Sequence, residues 1–198
     1  MTNPPLKIYL ASKSPRRQEL LRQLGVEFEL LLPENSEAAE ALEATRQGER
    51  PSDYVQRVAL AKMEAAKIAR QARGLPELAI LSSDTTVALG SQILGKPASA
   101  SEGRAMLQLL SGKTHRVLTA VVVSRGPKTT SKLSASRVRF ARLSATQIEA
   151  YVASGEGVDK AGGYAIQGLA ARFIRRIEGS YSGIMGLPLY ETAQLLQL

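Results

Sequence analysis

The chain of 198 residues contains no cysteine and no tryptophan, and only 5% of it is aromatic. Without cysteine it cannot form disulfides, use a thiol nucleophile or bind zinc through sulfur. The scarcity of aromatic rings disfavours the stacking surfaces that bind single-stranded nucleic acids. No apolar run approaches the roughly 20 residues that cross a bilayer, and MTNPPLKIYLAS lacks the pattern of a signal peptide. We therefore expect a cytoplasmic protein with no membrane partner.

Positive charge is in excess, with a formal net charge of +8. Such a balance favours an anionic partner. The basic residues are scattered along the chain, however, so nucleic acid is not the favoured one. The chain is 44% hydrophobic and 22% charged, which is typical of a globular protein, and its length suits one domain or two lobes that share a core.

The hydrophobic pattern predicts strands and helices that alternate, with hairpins between some of the strands. The predicted strands are 7–12, 26–32, 77–90, 92–95, 115–124, 132–143 and 171–180. The predicted helices are 15–24, 51–73, 99–110, 144–153 and a last one from Pro188. The acidic, alanine-rich segment 33–50 is expected to be a mobile loop. This order predicts an α/β protein with a mixed rather than purely parallel sheet.

The stretch LASKSPRRQELL places two serines and two arginines between the first strand and the first helix. Unpaired backbone N–H groups and the helix dipole favour an anion there, and arginine adds bidentate donors for phosphate oxygens. The alternative is purely structural: Ser14 caps the helix, Pro15 opens it, and Arg16 and Arg17 are solvated.

Three further positions suggest chemistry without establishing it. Asp84 ends a strand that is otherwise apolar, where a carboxylate can cap a turn, bind Mg²⁺ or accept a proton from water. Lys62 and Lys96, each taken alone, are most simply surface lysines. The single histidine, His115, is interpreted as a strand residue with a structural hydrogen bond, because no catalytic partner for it can be identified.

Five blocks of sequence, in this order, resemble the Maf family of nucleoside triphosphate pyrophosphatases: LASKSPRRQELL, SSDTTVALGSQILGKP, LSGKTHRVLTAV, DKAGGYAIQG and GSYSGIMGLPL. The resemblance implies one domain over residues 1–198, in which helices flank a central mixed, curved sheet and two lobes surround a cleft, similar to inosine triphosphatase. It also implies a homodimer that hydrolyses the α–β phosphoanhydride bond of a nucleoside triphosphate with Mg²⁺ or Mn²⁺.

The resemblance also implies roles for individual residues. It gives four ligands of the triphosphate, all in the S-x-S-x-R-R loop: Ser12, Ser14, Arg16 and Arg17. Asp84 would be the base for the attacking water, and Lys62 and Lys96 would neutralise phosphate charge. The metal would be held by Glu37 and Asp84, with Glu34 as a competitor for the place of Glu37.

Base recognition is expected in the glycine-rich segment 155–168. The amide of Gln167 offers both donors and an acceptor, which suits the N3–H and a carbonyl of uracil or thymine. With Thr85 and Arg16, it is similar to the branch of the family that prefers dTTP and UTP. Asp159 and Lys160 are expected to shape the same cleft, and Tyr164 either stacks on the base or is structural.

Two alternatives to dTTP and UTP hydrolysis stay open at this point. One keeps the chemistry and changes the substrate to 7-methyl-GTP. The other is a nucleic-acid-binding regulator of septum formation.

Overall fold

One sheet of seven strands organises residues 6–33 and 41–198, the part of the chain that the computed structural model describes. The strands are β1 (Lys7–Leu10), β2 (Glu27–Leu30), β3 (Ala79–Leu89), β4 (Gln92–Leu94), β5 (Thr114–Arg125), β6 (Lys128–Phe140) and β7 (Ile174–Glu178). The helices are α1 (Pro15–Gln23), α2 (Pro51–Ala72), α3 (Ala100–Leu110), α4 (Ala145–Ala153), α5 (Tyr181–Met185) and α6 (Leu189–Leu196). Two 3₁₀ helices, Ala161–Gly163 and Leu169–Phe173, precede β7.

The strand order is β2-β1-β3-β5-β6-β7, and β4 pairs with β3 outside this path. Strand β1 is parallel to β2 and β3, whereas every later pairing is antiparallel. The prediction of a mixed, curved sheet flanked by helices is thus confirmed. The parallel pairings are joined by helical crossovers, and two of the antiparallel pairings, β3–β4 and β5–β6, are hairpins with short turns.

Helix α1 follows from local sequence. The Ser14 side chain accepts a hydrogen bond from the Arg17 N–H, and Pro15 occupies the first turn, where its missing donor costs nothing. Gly25, with φ of +70°, follows the end of the helix in the left-handed conformation that glycine adopts readily. Leu20 and Leu21 are buried. The predicted cap and terminus are therefore confirmed.

Helices cover both faces of the sheet. On one face α2 buries Val55, Val58 and Met63 in a cluster that includes Leu118 and Val122 of β5. On the other face, Leu20 and Leu21 of α1 and Leu196 of α6 pack with Leu10, Leu81 and Val121. A third cluster, where α3 and α4 meet β6, contains Leu107, Leu110, Phe140, Ile148 and Tyr151. Burying such a side chain stabilises the fold by about 1.5–3 kcal/mol.

Two sequence expectations are corrected. Residues 171–173 belong to a 3₁₀ helix, and β7 begins only at Ile174, where pairing with β6 starts. Asp84 does not end its strand: β3 runs on to Leu89 because the same strand forms a hairpin with β4. The parallel partner β1, however, pairs only with residues 79–81, so Asp84 lies just beyond its end.

The second half of the predicted loop 33–50 is held against α2. The Arg57 guanidinium donates to the carbonyls of Leu42 and Ala44 and forms an ion pair with Glu49. The Tyr54 hydroxyl donates to the Glu43 carbonyl at 2.9 Å. Glu34 and Glu37 lie outside the described residues. Among the helices of residues 6–33 and 41–198, none combines the length and apolar character needed to cross a membrane.

Candidate active site

A cleft of about 650 Å³ opens where β1 ends beside β3. Its lining comes from the β1–α1 turn, residues 42–43, α2, the middle of β3, residues 95–96, the glycine-rich segment and residues 184–186. Nine predicted site residues line it: Ser12, Ser14, Arg16, Arg17, Lys62, Asp84, Thr85, Lys96 and Gln167. Segments far apart in sequence therefore meet in one cavity of the size that small-molecule ligands occupy.

Asp84 is only 5% exposed and lies in the cleft wall. Its Oδ1 accepts a hydrogen bond from Lys62 Nζ at 2.7 Å. Strand β3 fixes the backbone of Asp84 opposite Ala120 of β5, and α2 brings Lys62 across the sheet face. A carboxylate so buried requires a partner of opposite charge, and Lys62 provides it. The structure thus brings Asp84 and Lys62 together in one cleft.

Glu43 is a site residue that the sequence analysis missed. Its carboxylate bridges the two lysines, with Oε1 2.7 Å from Lys62 Nζ and Oε2 2.8 Å from Lys96 Nζ. The four side chains therefore form a row of alternating charges linked by ion pairs, in the order Asp84, Lys62, Glu43 and Lys96. Although burial raises the pKa of Glu43, the charges and hydrogen bonds of the two lysines outweigh it and lower that pKa to about 2. Glu43 is ionised in the folded protein at neutral pH.

The sequence offered only a weak signal for Glu43. Acidic residues recur every three positions at 34, 37, 40 and 43, and the family resemblance, which implies an acidic metal ligand after the second strand, directed attention to Glu37. The structure shows that residues 42–44 are fixed instead by the following helix, through Tyr54 and Arg57. The position of Glu43 relative to the helix that begins at Pro51 is therefore the sequence signal that could have located it.

Arg17 is an internal crosslink at the cleft wall. Its Nε donates to the Gly186 carbonyl at 2.7 Å, Nη1 donates to Ser12 Oγ at 3.1 Å, and Nη2 donates to Thr85 Oγ1 at 3.2 Å. The planar fork of arginine suits three acceptors on three segments. Gly186 itself has φ of +119°, and a Cβ there would lie 3.4 Å from Arg17 Nε. Arg17 thus joins α1, β3 and the turn after α5.

The hydroxyls near Arg17 are engaged in the same network. Thr119 Oγ1 donates to the Gly183 carbonyl, so Thr85 Oγ1 donates to Thr119 and accepts from Arg17. Ser12 Oγ accepts from the Ser14 N–H as well as from Arg17, and Ser14 Oγ caps α1. The interpretation of Ser14 as the cap of α1 is therefore confirmed. Ser12, Ser14 and Thr85 all line the cleft while stabilising its wall.

Several cations in the cleft lack a compensating carboxylate. Arg16 forms no hydrogen bond or ion pair with another residue of 6–33 and 41–198. Burial lowers the pKa of Arg16, and burial together with the nearby charge of Arg16 lowers the pKa of Arg17 and of Lys160. Six basic side chains and three carboxylates line the cleft in the described part of the chain. This imbalance favours a bound polyanion.

The glycine-rich segment forms the opposite wall of the cleft. Gln167 is exposed at the turn 166–168, and its side chain makes no hydrogen bond within the described residues. Asp159 and Lys160 line the same wall, as expected. Tyr164 is 5% exposed, and its hydroxyl lies 2.7 Å from His115 Nε2, which supports the structural interpretation of both residues. Burial lowers the pKa of His115 to about 4.

Comparison with known proteins identifies the family of the chain. The family model described as Maf-like protein matches residues 7–198. The chain is 61% identical to the dTTP/UTP pyrophosphatase of Cupriavidus metallidurans over 96% of this chain and 95% of that one. It is 60% identical to the dTTP/UTP pyrophosphatase of Ralstonia nicotianae over 98% and 94% of the two chains. A solved structure, the Ham1 protein of Staphylococcus aureus, shares 12% identity over 96% of each chain, with a TM-score of 0.45. The chain belongs to the Maf family.

Proposed function

We propose that this chain hydrolyses dTTP and UTP to the nucleoside monophosphate and pyrophosphate. Relatives about 60% identical over nearly the whole chain carry the name of that activity. The observation that carries the proposal is the buried Asp84, bound to Lys62, in a cleft with six basic side chains. A triphosphate brings about three to four negative charges, and catalysis of its cleavage is mostly positioning and charge stabilisation.

The roles of the residues follow from their surroundings. Asp84 would accept the proton of the attacking water. Lys62 and Lys96 would exchange contacts with Glu43 for contacts with phosphate oxygens. Arg16 and Lys160, whose side chains form no ion pair within the described residues, would hold the rest of the polyphosphate. Release of pyrophosphate is favoured because these cations stabilise the charge that develops on the leaving group.

A divalent cation fits this donor set. Asp84 and Glu43 each place an oxygen 2.7 Å from the same Lys62 nitrogen, so two carboxylates converge at one place in the cleft. Mg²⁺ in phosphate sites typically uses one or two carboxylates, with water and substrate oxygens completing its shell. The described residues contain no cluster of three or more metal-binding side chains. When bound, Mg²⁺ or Mn²⁺ would neutralise phosphate charge.

Gln167 would select the base. Its amide oxygen can accept the N3–H of uracil or thymine while its NH₂ group donates to a ring carbonyl. Cytosine presents the opposite pattern at these atoms, so the same amide orientation leaves polar groups unpaired. Such unpaired groups discriminate strongly in a desolvated site. For 7-methylguanine, a glutamate that accepts from both N1–H and N2–H would suit the base better than this glutamine.

The test is a panel of dTTP, UTP, CTP, GTP and 7-methyl-GTP with detection of pyrophosphate, with and without EDTA. We expect dTTP and UTP to be preferred, EDTA to abolish turnover, and Asp84→Asn to lower it at least about 100-fold. Asp53→Asn, at an exposed carboxylate of α2, is the matched control. Preference for 7-methyl-GTP would contradict the pyrimidine assignment, and full activity of Asp84→Asn would contradict the catalytic one.

The remaining expectations are tested separately. We propose a homodimer in the cytoplasm, and light scattering after size-exclusion chromatography measures the oligomeric state. A role as a nucleic-acid-binding regulator of septum formation would require strongly salt-dependent binding of DNA or RNA. Fluorescence anisotropy at low and moderate salt, run beside the pyrophosphate assay, separates binding from hydrolysis.

A further inference from the structure

The turn that carries Gln167 is tied down on both sides by two residues outside the cleft lining. On one side, the Ala165 N–H donates to Tyr151 Oη at 3.1 Å. On the other side, the Leu169 N–H donates to Glu156 Oε2 at 2.7 Å, and the Ala170 N–H donates to Glu156 Oε1 at 3.3 Å. The backbone of the turn is therefore held within two residues of Gln167 on each side.

The two anchoring side chains are themselves bonded. Tyr151 Oη donates to Glu156 Oε1 at 2.9 Å while it accepts the Ala165 N–H. Tyr151 is fully buried at the end of α4, with its ring packed edge-on against Phe173 at 5.7 Å. Tyr151 and Glu156 thus form one hydrogen-bonded unit, here called the Tyr151–Glu156 clamp, which holds the backbone on both sides of the turn.

Glycines show how closely the turn approaches this clamp. A Cβ at Gly168 would lie 2.2 Å from Glu156 Oε2, so a larger residue there would displace the carboxylate from its present position. A Cβ at Gly157, beside Glu156, would lie 2.2 Å from the Gly163 carbonyl oxygen. The chain before the turn and the chain after Glu156 are in direct backbone contact. Small shifts of the Glu156 carboxylate would therefore move the turn that carries Gln167.

Gln167 is the exposed residue between these anchors, and its amide is free of partners within the described residues. Because the backbone at Gln167 is fixed, its unbonded side chain can approach a base from one position only. Binding groups held by a rigid surrounding shell discriminate better because less freedom is lost on binding.

We propose that Tyr151 and Glu156 are positioning residues that set base selectivity by fixing the backbone of Gln167. This inference rests on the proposed function, since it assigns the clamp to pyrimidine recognition. The carboxylate is the stronger element, because hydrogen bonds from backbone N–H groups to an ionised acceptor exceed neutral ones in strength. In Glu156→Gln the NH₂ group faces a backbone donor, so one anchor is lost while side-chain volume is kept.

The experiment is a double-mutant cycle on selectivity, measured as kcat/KM for dTTP divided by kcat/KM for dCTP. We expect Glu156→Gln and Tyr151→Phe each to lower this ratio about tenfold with turnover of dCTP nearly unchanged. In the Gln167→Ala background, neither substitution should lower it further, because the clamp acts through Gln167. Glu149→Gln, at an exposed carboxylate of the same helix α4, is the control and should keep the wild-type ratio.

A second measurement keeps the test independent of folding defects and of the activity. Circular dichroism first establishes that the Glu156→Gln variant is folded. In that folded variant, the amide hydrogens of Ala165 and Leu169 should exchange with solvent faster than in the wild type. Unchanged selectivity in both clamp variants, or an equal loss in the Gln167→Ala background, would overturn the inference. If the wild type itself releases no pyrophosphate from dTTP, the proposed function fails, whereas the exchange data still report on the clamp.

Discussion

The ammonium group of Lys62 lies 2.7 Å from Asp84 Oδ1, and only 8% of the Asp84 side chain is exposed. The pair joins the middle of a strand to the helix that crosses it. Because the Asp84 carboxylate is nearly enclosed, its charge is stabilised chiefly by this one cation. The same cation holds Glu43, so one nitrogen organises two of the three carboxylates that line the described cleft.

Replacement of Lys62 by methionine is the first test of this arrangement. The change keeps most of the side-chain volume but leaves Asp84 and Glu43 repelling each other. We expect kcat/KM for dTTP to fall at least about 100-fold and the free energy of unfolding to fall by about 1–3 kcal/mol. Lys67→Met, on the same helix, removes only a contact with the exposed Glu64 and with Thr129 and should change neither value appreciably.

Glu43→Gln should reveal the pH dependence of the lysine bridge. The pKa of Glu43 is about 2 in the folded state against an ordinary value of 4.5, so its contribution to stability is complete above pH 4.5. That contribution is lost as the pH falls from 4.5 to 2. Urea unfolding of both proteins across this range measures it. The stability gap between wild type and variant should close toward pH 2, and a gap independent of pH would contradict the assignment.

Lysine substitutions should distinguish the two adjacent arginines. Arg17 makes three hydrogen bonds to three segments, and a lysine cannot reproduce this fork. We expect Arg17→Lys to lower Tm by roughly 2–4 °C for each kcal/mol of lost stability. Arg16→Lys should leave Tm unchanged and raise KM for dTTP, because Arg16 has no described partner to lose. Differential scanning fluorimetry with steady-state kinetics separates the two effects. Equal Tm values for the two variants would show that Arg17 is not a crosslink.

Substitution of His115, the single histidine, tests how the free energy of unfolding depends on pH in acid. Burial lowers the pKa of His115 to about 4 from 6.5, so the unfolded chain binds a proton first as the pH falls. Stability should therefore be complete above pH 6.5 and decline by about 3 kcal/mol between 6.5 and 4. His115→Gln should show a smaller decline over that window in denaturant titrations. An identical pH slope in the two proteins would mean that other groups govern acid unfolding.

Expectations based on near neighbours in sequence succeeded best. The Ser14 cap and the start of α1 at Pro15 were both readable, because they involve groups within three residues of one another. Asp84 was expected at a strand end, but it lies in the middle of β3. Where a strand ends depends on its partners, and β3 gains its length from β4 and β5.

The sequence by itself determined the order of strands and helices, the caps and the positive charge that favours an anion, since these depend on composition and on local spacing. It also carried the motifs by which the family is identified. Only the tertiary structure decided which charges meet: Glu43 bridges Lys62 and Lys96, and Arg17 reaches Gly186 across 169 positions of sequence. The physical reason is that the partners of a buried charge are chosen by packing of distant segments, which no local pattern encodes.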